Sequence, residues 1–553
     1  MVVPELRPWQ AAKPRVRRLA AAVRPGLQRW TAATKPQVTR LRQAVEPQLA
    51  RLKRATGPRP AGLVRPPRPR TLRTWQYTAG ATTAGLALAA GVATAAGPWD
   101  ANGQRTAERD RAAALQRPGG ADHGTGSGTA GSDPGAAPSA GPVLTGLGGG
   151  TDTVKSAPTA GSTQNPAGIS PAALKGVLGP LLDAPELGST RTAVVLDVAT
   201  GKRLYAEGAD TGMTPASTTK IATAVAALSA LGPDHRFTTR AVLEPGTRQV
   251  VLIGGGDPTL TARRDPGDWA SLRTLATETA KSLSARGIEQ VTLSYDTSLY
   301  TGPDLHPIGV NENLARVSPL MADQARTDGS TSGPARRAAD PAADAAQKFA
   351  GFLADAGIRT SGPGTAKASR RAATLATVAS PPLSAVVERM LTYSDNDIAE
   401  ALARQTALAV GKPAGFDGGA AAVEARLTRL GLPMTGASFH DGSGLNRDDR
   451  LTADLLTALL AKAADADQPG LRAVLTGLPV AHFTGTLTSR YTDGAAGVVR
   501  AKTGTLTGVN TLAGTLVDRD GRLLAFAFLT ADTTNPHEAQ AALDRTATAL
   551  AGL

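Results

Sequence analysis

A serine and a lysine three residues apart, Ser217 and Lys220, head a run of helix formers from Ala216 to Leu231 (ASTTKIATAVAALSAL). On a helix that spacing puts both side chains on one face. A serine hydroxyl is a weak nucleophile and needs a neighbouring base. The positive end of the helix dipole disfavours a protonated Lys220 and favours negative charge developing near Ser217, so both effects push toward a free amine acting as base. Pro215 is well placed to open the helix, which predicts Ser217 in its first turn. An isolated S-x-x-K is more often a helix that merely carries both residues. The pair gains weight from two further polar motifs that follow it.

The second is Tyr393-Ser394-Asp395-Asn396-Asp397, a polar cluster between the apolar-periodic Leu383 to Leu391 and the helical Ile398 to Val410. Alternation across such a link points Ser394 and Asn396 one way and Asp395 the other. Ser394 would then supply a second hydroxyl near Lys220 to relay a proton to a leaving amine, and the Asn396 amide would hold a substrate peptide group. The plain alternative is a capped helix start, since Ser, Asp and Asn all cap well. The third motif is Lys502-Thr503-Gly504-Thr505, which precedes two β-patterned runs, Thr511 to Val517 and Leu523 to Thr530, joined by the hairpin turn Asp518-Arg519-Asp520-Gly521. A lysine and hydroxyls on a strand beside the nucleophile would grip a substrate carboxylate, with Gly504 letting a ligand backbone approach closely. The backbone N–H groups of Ser217 and Thr505 are the candidate oxyanion hole. Each motif is weak alone; the order and the local context of all three together are not.

With these motifs, and with Gly254-Gly255-Gly256-Asp257-Pro258-Thr259-Leu260 and Asp441-Gly442-Ser443-Gly444-Leu445, the chain from about Ser170 to Leu553 resembles the D-alanyl-D-alanine carboxypeptidases of the low-molecular-mass class C penicillin-binding proteins, peptidase family S13. The separation of 177 positions from Ser217 to Ser394 resembles that family's habit of inserting a domain there, although the interval is too short for the further small domain that many relatives nest inside it. The resemblance implies that Ser217 attacks the carbonyl between the last two D-alanines of a peptidoglycan stem peptide, with Lys220 as base and Ser394 as relay, and that water then hydrolyses the acyl-enzyme. It also implies β-lactam antibiotics as acylating inhibitors, and endopeptidase cleavage of D-alanyl cross-links as a second reaction. A serine β-lactamase, and a β-lactam-sensing or wall-binding protein that no longer turns over, are the alternatives; slow release of bound penicillin separates the first of these from a carboxypeptidase.

The formal net charge of +14 suggests nucleic acid until it is located. Residues 1–74 hold 18 Lys or Arg against 2 acidic residues, a net +16, so the remaining 479 residues carry −2. No RNA- or DNA-binding motif interrupts them, and no nucleic-acid partner is expected. Cysteine is absent, which excludes disulfides, Cys-ligated zinc and a thiol nucleophile. The six histidines show no H-x-x-x-H spacing and are expected to be surface or packing residues; no metal or other cofactor is assigned.

Residues 75–99 form an uncharged segment flanked by Arg73 and Asp100 and ended by Trp residues. It is expected to be a membrane anchor, with the basic side in the cytoplasm and the catalytic part outside. A cleaved signal is the rival, since Ala93-Thr94-Ala95 has the form of a cleavage site and would leave a secreted protein. The basic tail 1–74 repeats Pro every 11 residues (Pro14, Pro25, Pro36, Pro47) with apolar residues at fixed offsets, which fits either a surface-lying membrane segment or a disordered basic tail. Residues 100–167, rich in Gly, Ala, Ser, Thr and Pro, cannot bury a core and are expected to be a disordered tether. The rest is expected to be α+β: a serine β-lactamase/penicillin-binding transpeptidase-like domain, an antiparallel sheet with helices, in two parts (168–235 and 379–553) with an inserted domain at 236–378.

Overall fold

The computed structural model describes residues 170–492 and 494–553. The basic tail with its 11-residue repeats, the uncharged segment 75–99 and the tether lie outside the described residues.

Helix α1 (Pro171–Leu182) starts at Ser170, whose side chain accepts from the Ala173 N–H, and has Pro at its first position, where the missing donor costs nothing. Strands β1 (Thr190–Asp197) and β2 (Arg203–Glu207) pair antiparallel across a turn in which Asp197 accepts from the N–H groups of Thr200 and Gly201. A short 3₁₀ turn, Ala216–Thr218, then leads into α2 (Thr219–Leu231).

The chain next leaves to build a second sheet. Its strands are β3 (Thr238–Leu243), β4 (Gln249–Ile253), β5 (Gln290–Asp296), β6 (Arg359–Thr365) and β7 (Ala373–Ala379), in the order β6-β5-β4-β3-β7. Helices α3 (Leu272–Ser284) and α4 (Pro341–Asp355) cover it through Leu275, Ala276, Leu283, Phe349 and Leu353. The β4–β5 and β5–β6 pairs are parallel, as crossovers that carry a helix require.

The chain returns through α5 (Leu383–Tyr393), α6 (Asn396–Ala409), α7 (Phe416–Arg429), α8 (Ala453–Ala464) and the single turn α9 (Ala473–Thr476). It closes the first sheet with β8 (Arg500–Leu506), β9 (Val509–Val517) and β10 (Leu523–Ala531), and ends in α10 (Pro536–Ala551), capped by the Asn535 side chain on the N–H groups of His537 and Glu538.

That first sheet has the order β2-β1-β10-β9-β8 and is antiparallel throughout, with β1 paired to β10 over eight residues from Thr190 opposite Ala531 to Asp197 opposite Leu524. Strands from the two ends of the described chain thus meet at its centre. On β10, Ala525, Ala527 and Leu529 face the cluster around α2, α5 and α8, while Leu524, Phe526 and Phe528 face α1 and α10. A strand buried on both faces sits between two helical layers, which is why its sequence is apolar without alternation. The mixed α+β architecture agrees with the fold class expected from the sequence. Helix α2 lies in the middle of the larger core, with every residue from Thr219 to Leu228 buried. A rigid, dry helix is what can hold a buried lysine in one place.

Candidate active site

Ala216 has φ 48°, in the left-handed region that a residue with a Cβ adopts at a cost. The turn it makes is tied down: the Pro215 carbonyl accepts from Thr218 Oγ1 (2.7 Å) and from Thr511 Oγ1 of β9 (2.9 Å). Ser217 is therefore presented on a strained 3₁₀ turn ahead of α2, and not within the first turn of the α-helix as the helix formers suggested. Two glycines close against this turn. A Cβ on Gly444, at φ +80°, would meet the Ala216 carbonyl at 1.9 Å; one on Gly504 would meet Thr511 Oγ1 at 2.1 Å and the Pro215 carbonyl at 2.8 Å. The room at Gly504, assigned from the sequence to a ligand backbone, is taken by the nucleophile's own turn.

Lys220 is fully buried, and its Nζ has three oxygen neighbours: Ser217 Oγ at 3.0 Å, Asn396 Oδ1 at 2.7 Å and the Ser443 carbonyl at 2.6 Å. The amide and carbonyl oxygens can only accept, so Nζ must donate to both. A neutral amine has two N–H donors and one lone pair. With both donors taken, the lone pair faces the Ser217 hydroxyl, the arrangement a base needs. Burial pushes the amine down to about 8, against the opposing pull of the Asp441, Asp395, Glu400 and Asp449 carboxylates. Desolvation in the core is the larger cause here; the sequence argument had relied on the helix dipole.

Helix α5 ends at Ser394, which is left-handed (φ 56°, ψ 42°), and the next residue caps α6, with Asp395 accepting from the Ile398 N–H at 3.0 Å. The capping and functional readings of this motif therefore coexist. Asp395 turns its other oxygen to Gln324 Nε2 (2.6 Å), while Ser394 and Asn396 line a cleft of about 440 Å³ together with Ser217, Thr486 and Thr505. Ser394 Oγ accepts from Lys502 Nζ at 2.8 Å. Lys502 also donates to the Thr503 carbonyl (2.7 Å) and is fully buried, and burial together with the nearby Lys220 holds its amine well below the usual lysine range. The structure thus brings all eight expected residues to one place, with two lysines under one cleft floor: Lys220 on Ser217 and Asn396, Lys502 on Ser394. Thr503 Oγ1 donates to Thr486 Oγ1 (3.0 Å) on the neighbouring loop.

Other contributors had no legible signal. The second-sheet region reaches the motif through Asn313, whose carbonyl accepts from Asn396 Nδ2 (2.9 Å), and through Asp397, which accepts from the Ala315 N–H (2.9 Å) and Arg337 Nη1 (2.8 Å). With its oxygen on Lys220 and its nitrogen on Asn313, the Asn396 amide is held from both sides. Arg337 and Asp397 are nearly fully buried, and burial lifts the Asp397 carboxyl to about 6 despite Arg337.

The 441–445 motif is scaffolded in the same way. Glu400 Oε1 accepts from the N–H groups of Gly442 and Ser443 (3.0 Å each), and its other oxygen pairs with Arg404 at 3.1 Å. Asp441 accepts from the N–H groups of Ser443, Gly444 and Asn446 and meets His306 Nε2 at 2.9 Å. Although burial opposes it, these bonds hold the Asp441 carboxyl down to about 2, while burial and the charge of Asp441 push its neighbour Asp449 up to about 10. His306, Glu400 and Asp441 place ligand atoms within 4.8 Å of one another. Their carboxylate oxygens are already engaged by backbone amides and Arg404, so the cluster shapes the loop that presents the Ser443 carbonyl to Lys220 and does not suit a metal.

The family model described as D-Ala-D-Ala carboxypeptidase 3 (S13) family matches residues 174–317 and 325–550. The chain is 38% identical over 367 residues to Carboxypeptidase DacB of Mycolicibacterium smegmatis, covering 64% of this chain and 78% of that one. It is 37% identical over 358 residues to Carboxypeptidase Rv3627c of Mycobacterium tuberculosis, covering 62% and 77%. Among solved structures, penicillin binding protein 4 (dacB) of Haemophilus influenzae superposes with a TM-score of 0.57 at 22% identity, covering 70% of this chain and all of the other.

Proposed function

Since the chain belongs to the D-Ala-D-Ala carboxypeptidase (S13) family, we propose that it is a serine-type peptidase that removes the terminal D-alanine from peptidoglycan stem peptides through an acyl-enzyme on Ser217. The observation that carries this is the position of Lys220 Nζ, 3.0 Å from Ser217 Oγ with its two other contacts on the acceptors Asn396 Oδ1 and the Ser443 carbonyl, so that its neutral form turns the lone pair to the serine. Ser217 loses its proton to Lys220 as Oγ bonds to the carbonyl carbon between the two D-alanines. The backbone N–H groups of Ser217 and Thr505 would hold the developing oxyanion. The C–N bond breaks, the leaving amine takes the proton by way of Lys220 and Ser394, and water then hydrolyses the ester. β-Lactams would acylate the same oxygen and remain.

The leaving residue carries a carboxylate. Lys502 is too buried to touch it, so we assign the contact to the hydroxyls of Thr503 and Ser394, the latter held by the N–H of the Lys502 amine. Lys502→Ala is expected to lower turnover of a stem pentapeptide ending in a free carboxylate by roughly 10- to 100-fold, the equivalent of about 1.5–3 kcal/mol for a charge-assisted contact. The same peptide amidated at that end should barely change. Mass spectrometry of released D-alanine decides it: equal losses on both peptides refute the role, and no release by the unaltered chain refutes the carboxypeptidase reading.

We further propose that residues 75–99 cross the cell membrane with residues 1–74 on the cytoplasmic side, on the strength of the uncharged run and the +16 that precedes it. Among the described residues no helix is long and apolar enough to do so. Protease applied outside intact cells is expected to release an active domain and spare the tail; a tail digested from outside reverses the orientation.

A further inference from the structure

Three consecutive residues that are not glycine, Asp323, Gln324 and Ala325, sit in the left-handed region, with φ of 53°, 55° and 53°. Each costs conformational energy there, and a run of three persists only where the surroundings hold it. They lie in the long loop between β5 and α4. The first is firmly pinned. The Asp323 N–H donates to the Leu260 carbonyl (2.8 Å), and its carboxylate accepts from Thr261 Oγ1 (2.6 Å), Arg263 Nε (3.1 Å) and the Ala262 N–H (3.1 Å). Leu260 closes the Gly254–Leu260 motif, whose Gly255 carbonyl accepts from Gln405 Nε2 of α6 at 3.0 Å. The motif therefore ties the strained turn to the helix that begins at Asn396.

The middle residue reaches the active site by two arms. Gln324 Nε2 donates to Asp395 Oδ2 (2.6 Å), and the Gln324 carbonyl accepts from Arg337 Nη1 (2.7 Å), which also donates to Asp397 Oδ2 (2.8 Å). Asp395 and Asp397 flank Asn396, and Asp395 follows Ser394. One buried residue of the insert thereby holds both neighbours of Asn396. Arg326 Nε donates to Gln324 Oε1 (3.2 Å), which fixes the side-chain amide with its nitrogen toward Asp395. The backbone dihedrals of Gln324 set the directions in which its carbonyl and its side chain leave, so the strained conformation is the one that serves both arms at once.

We propose that Gln324 is a positioning residue of the reaction: from its left-handed turn it sets the Ser394-Asp395-Asn396 link, keeping Ser394 Oγ on Lys502 and the Asn396 amide on Lys220. The inference rests on the serine-peptidase reading of the site. Gln324 touches no reacting atom. It stands behind Asp395, and its loss would loosen the proton path to the leaving amine more than it would change what the cleft binds.

The test uses the full chain with Gln324→Ala, Gln324→Gly and Gln324→Glu, and reads kcat and KM for D-alanine release from a stem pentapeptide together with the melting temperature. The first two both remove the arm to Asp395, but only glycine takes φ 55° without strain. Both are expected to lower kcat by roughly 10- to 100-fold with KM within about threefold, and Gln324→Gly is expected to melt higher than Gln324→Ala at the same kcat. Gln324→Glu keeps the shape and the Arg326 contact but sets a carboxylate against Asp395, and two carboxylates that close must share a proton. The charged groups around this pair are Asp323, Arg326 and Arg337 on its own loop, Arg389 of α5, Asp397 of α6 and Lys220 of α2. They are common to both proteins, so the ratio of Gln324→Glu to unaltered kcat is expected to fall as pH climbs from about 5 to about 8. A kcat within about twofold of the unaltered value, a kcat that follows the melting temperature across the first two variants, a rise in KM in place of the fall in kcat, or a ratio indifferent to pH would overturn the role while sparing the peptidase reading. An unaltered chain that neither releases D-alanine nor is acylated by benzylpenicillin removes the serine-peptidase premise instead, and the inference with it.

Discussion

Ser217→Ala is expected to eliminate the acyl-enzyme and with it turnover, by roughly 10⁴-fold or more, since removing the nucleophile of a site that acts as a unit costs nearly the whole of its catalysis. The substitution deletes one oxygen from a turn pinned by Pro215, Thr218 and Thr511, none of which bonds to Ser217 Oγ, and the buried Lys220 keeps Asn396 and Ser443 as partners, so the fold should survive it. Intact-mass measurement after incubation with benzylpenicillin should show one adduct on the unaltered chain and none on the variant. A persisting adduct would place the nucleophile elsewhere.

The second large effect is in pH. Burial holds the Lys220 amine at about 8, so its neutral, basic form is scarce in acid and dominant in alkali. Two pH units below that value only about one amine in a hundred is neutral. Acylation by benzylpenicillin should therefore rise as pH climbs through about 8 and level off above it. The sign follows from the role: a base whose conjugate acid has lost its proton gains activity with pH, whereas a lysine needed as a cation would lose it. Lys220→Gln should lower the acylation rate by about 10²- to 10⁴-fold, the worth of a positioned general base, and flatten this rise. A rate that falls with pH in the unaltered protein would refute the assignment.

Much of the catalytic framework could be read from local patterns. Of the three hairpins of the first sheet, the one joining β9 to β10 was visible, because β-patterned runs flanked the turn Asp518-Arg519-Asp520-Gly521, and Asn535-Pro536 likewise announces the start of α10 chemically. Helix α6 was visible too, although its start lies two residues earlier than the apolar pattern indicated, at the residue after the Asp395 cap. The strained turn at Ala216 was not foreseen, because propensity favours a regular helix there and one of the two hydrogen bonds that hold the alternative comes from Thr511 on β9, almost three hundred residues away. His306 passed for an ordinary packing residue for the same reason: its partner, Asp441, is 135 residues distant.

The sequence by itself determined which atoms the site contains. Nucleophile, amine, second hydroxyl and carboxylate-binding strand are residue types, and their types survive any folding. Only the tertiary structure decided what state they are in and what they touch. Lys220 is a base because the core around α2 excludes water, and burial depends on packing from α5, α6 and α8 that no window around Lys220 contains. The Asn396 amide is fixed because Asn313, from the long loop between β5 and α4, lies within hydrogen-bond reach. Hydrogen bonds and desolvation act over a few ångströms of space, and sequence distance bears no relation to them, so the charge states and orientations of this site came into being only when both sheets had closed around it.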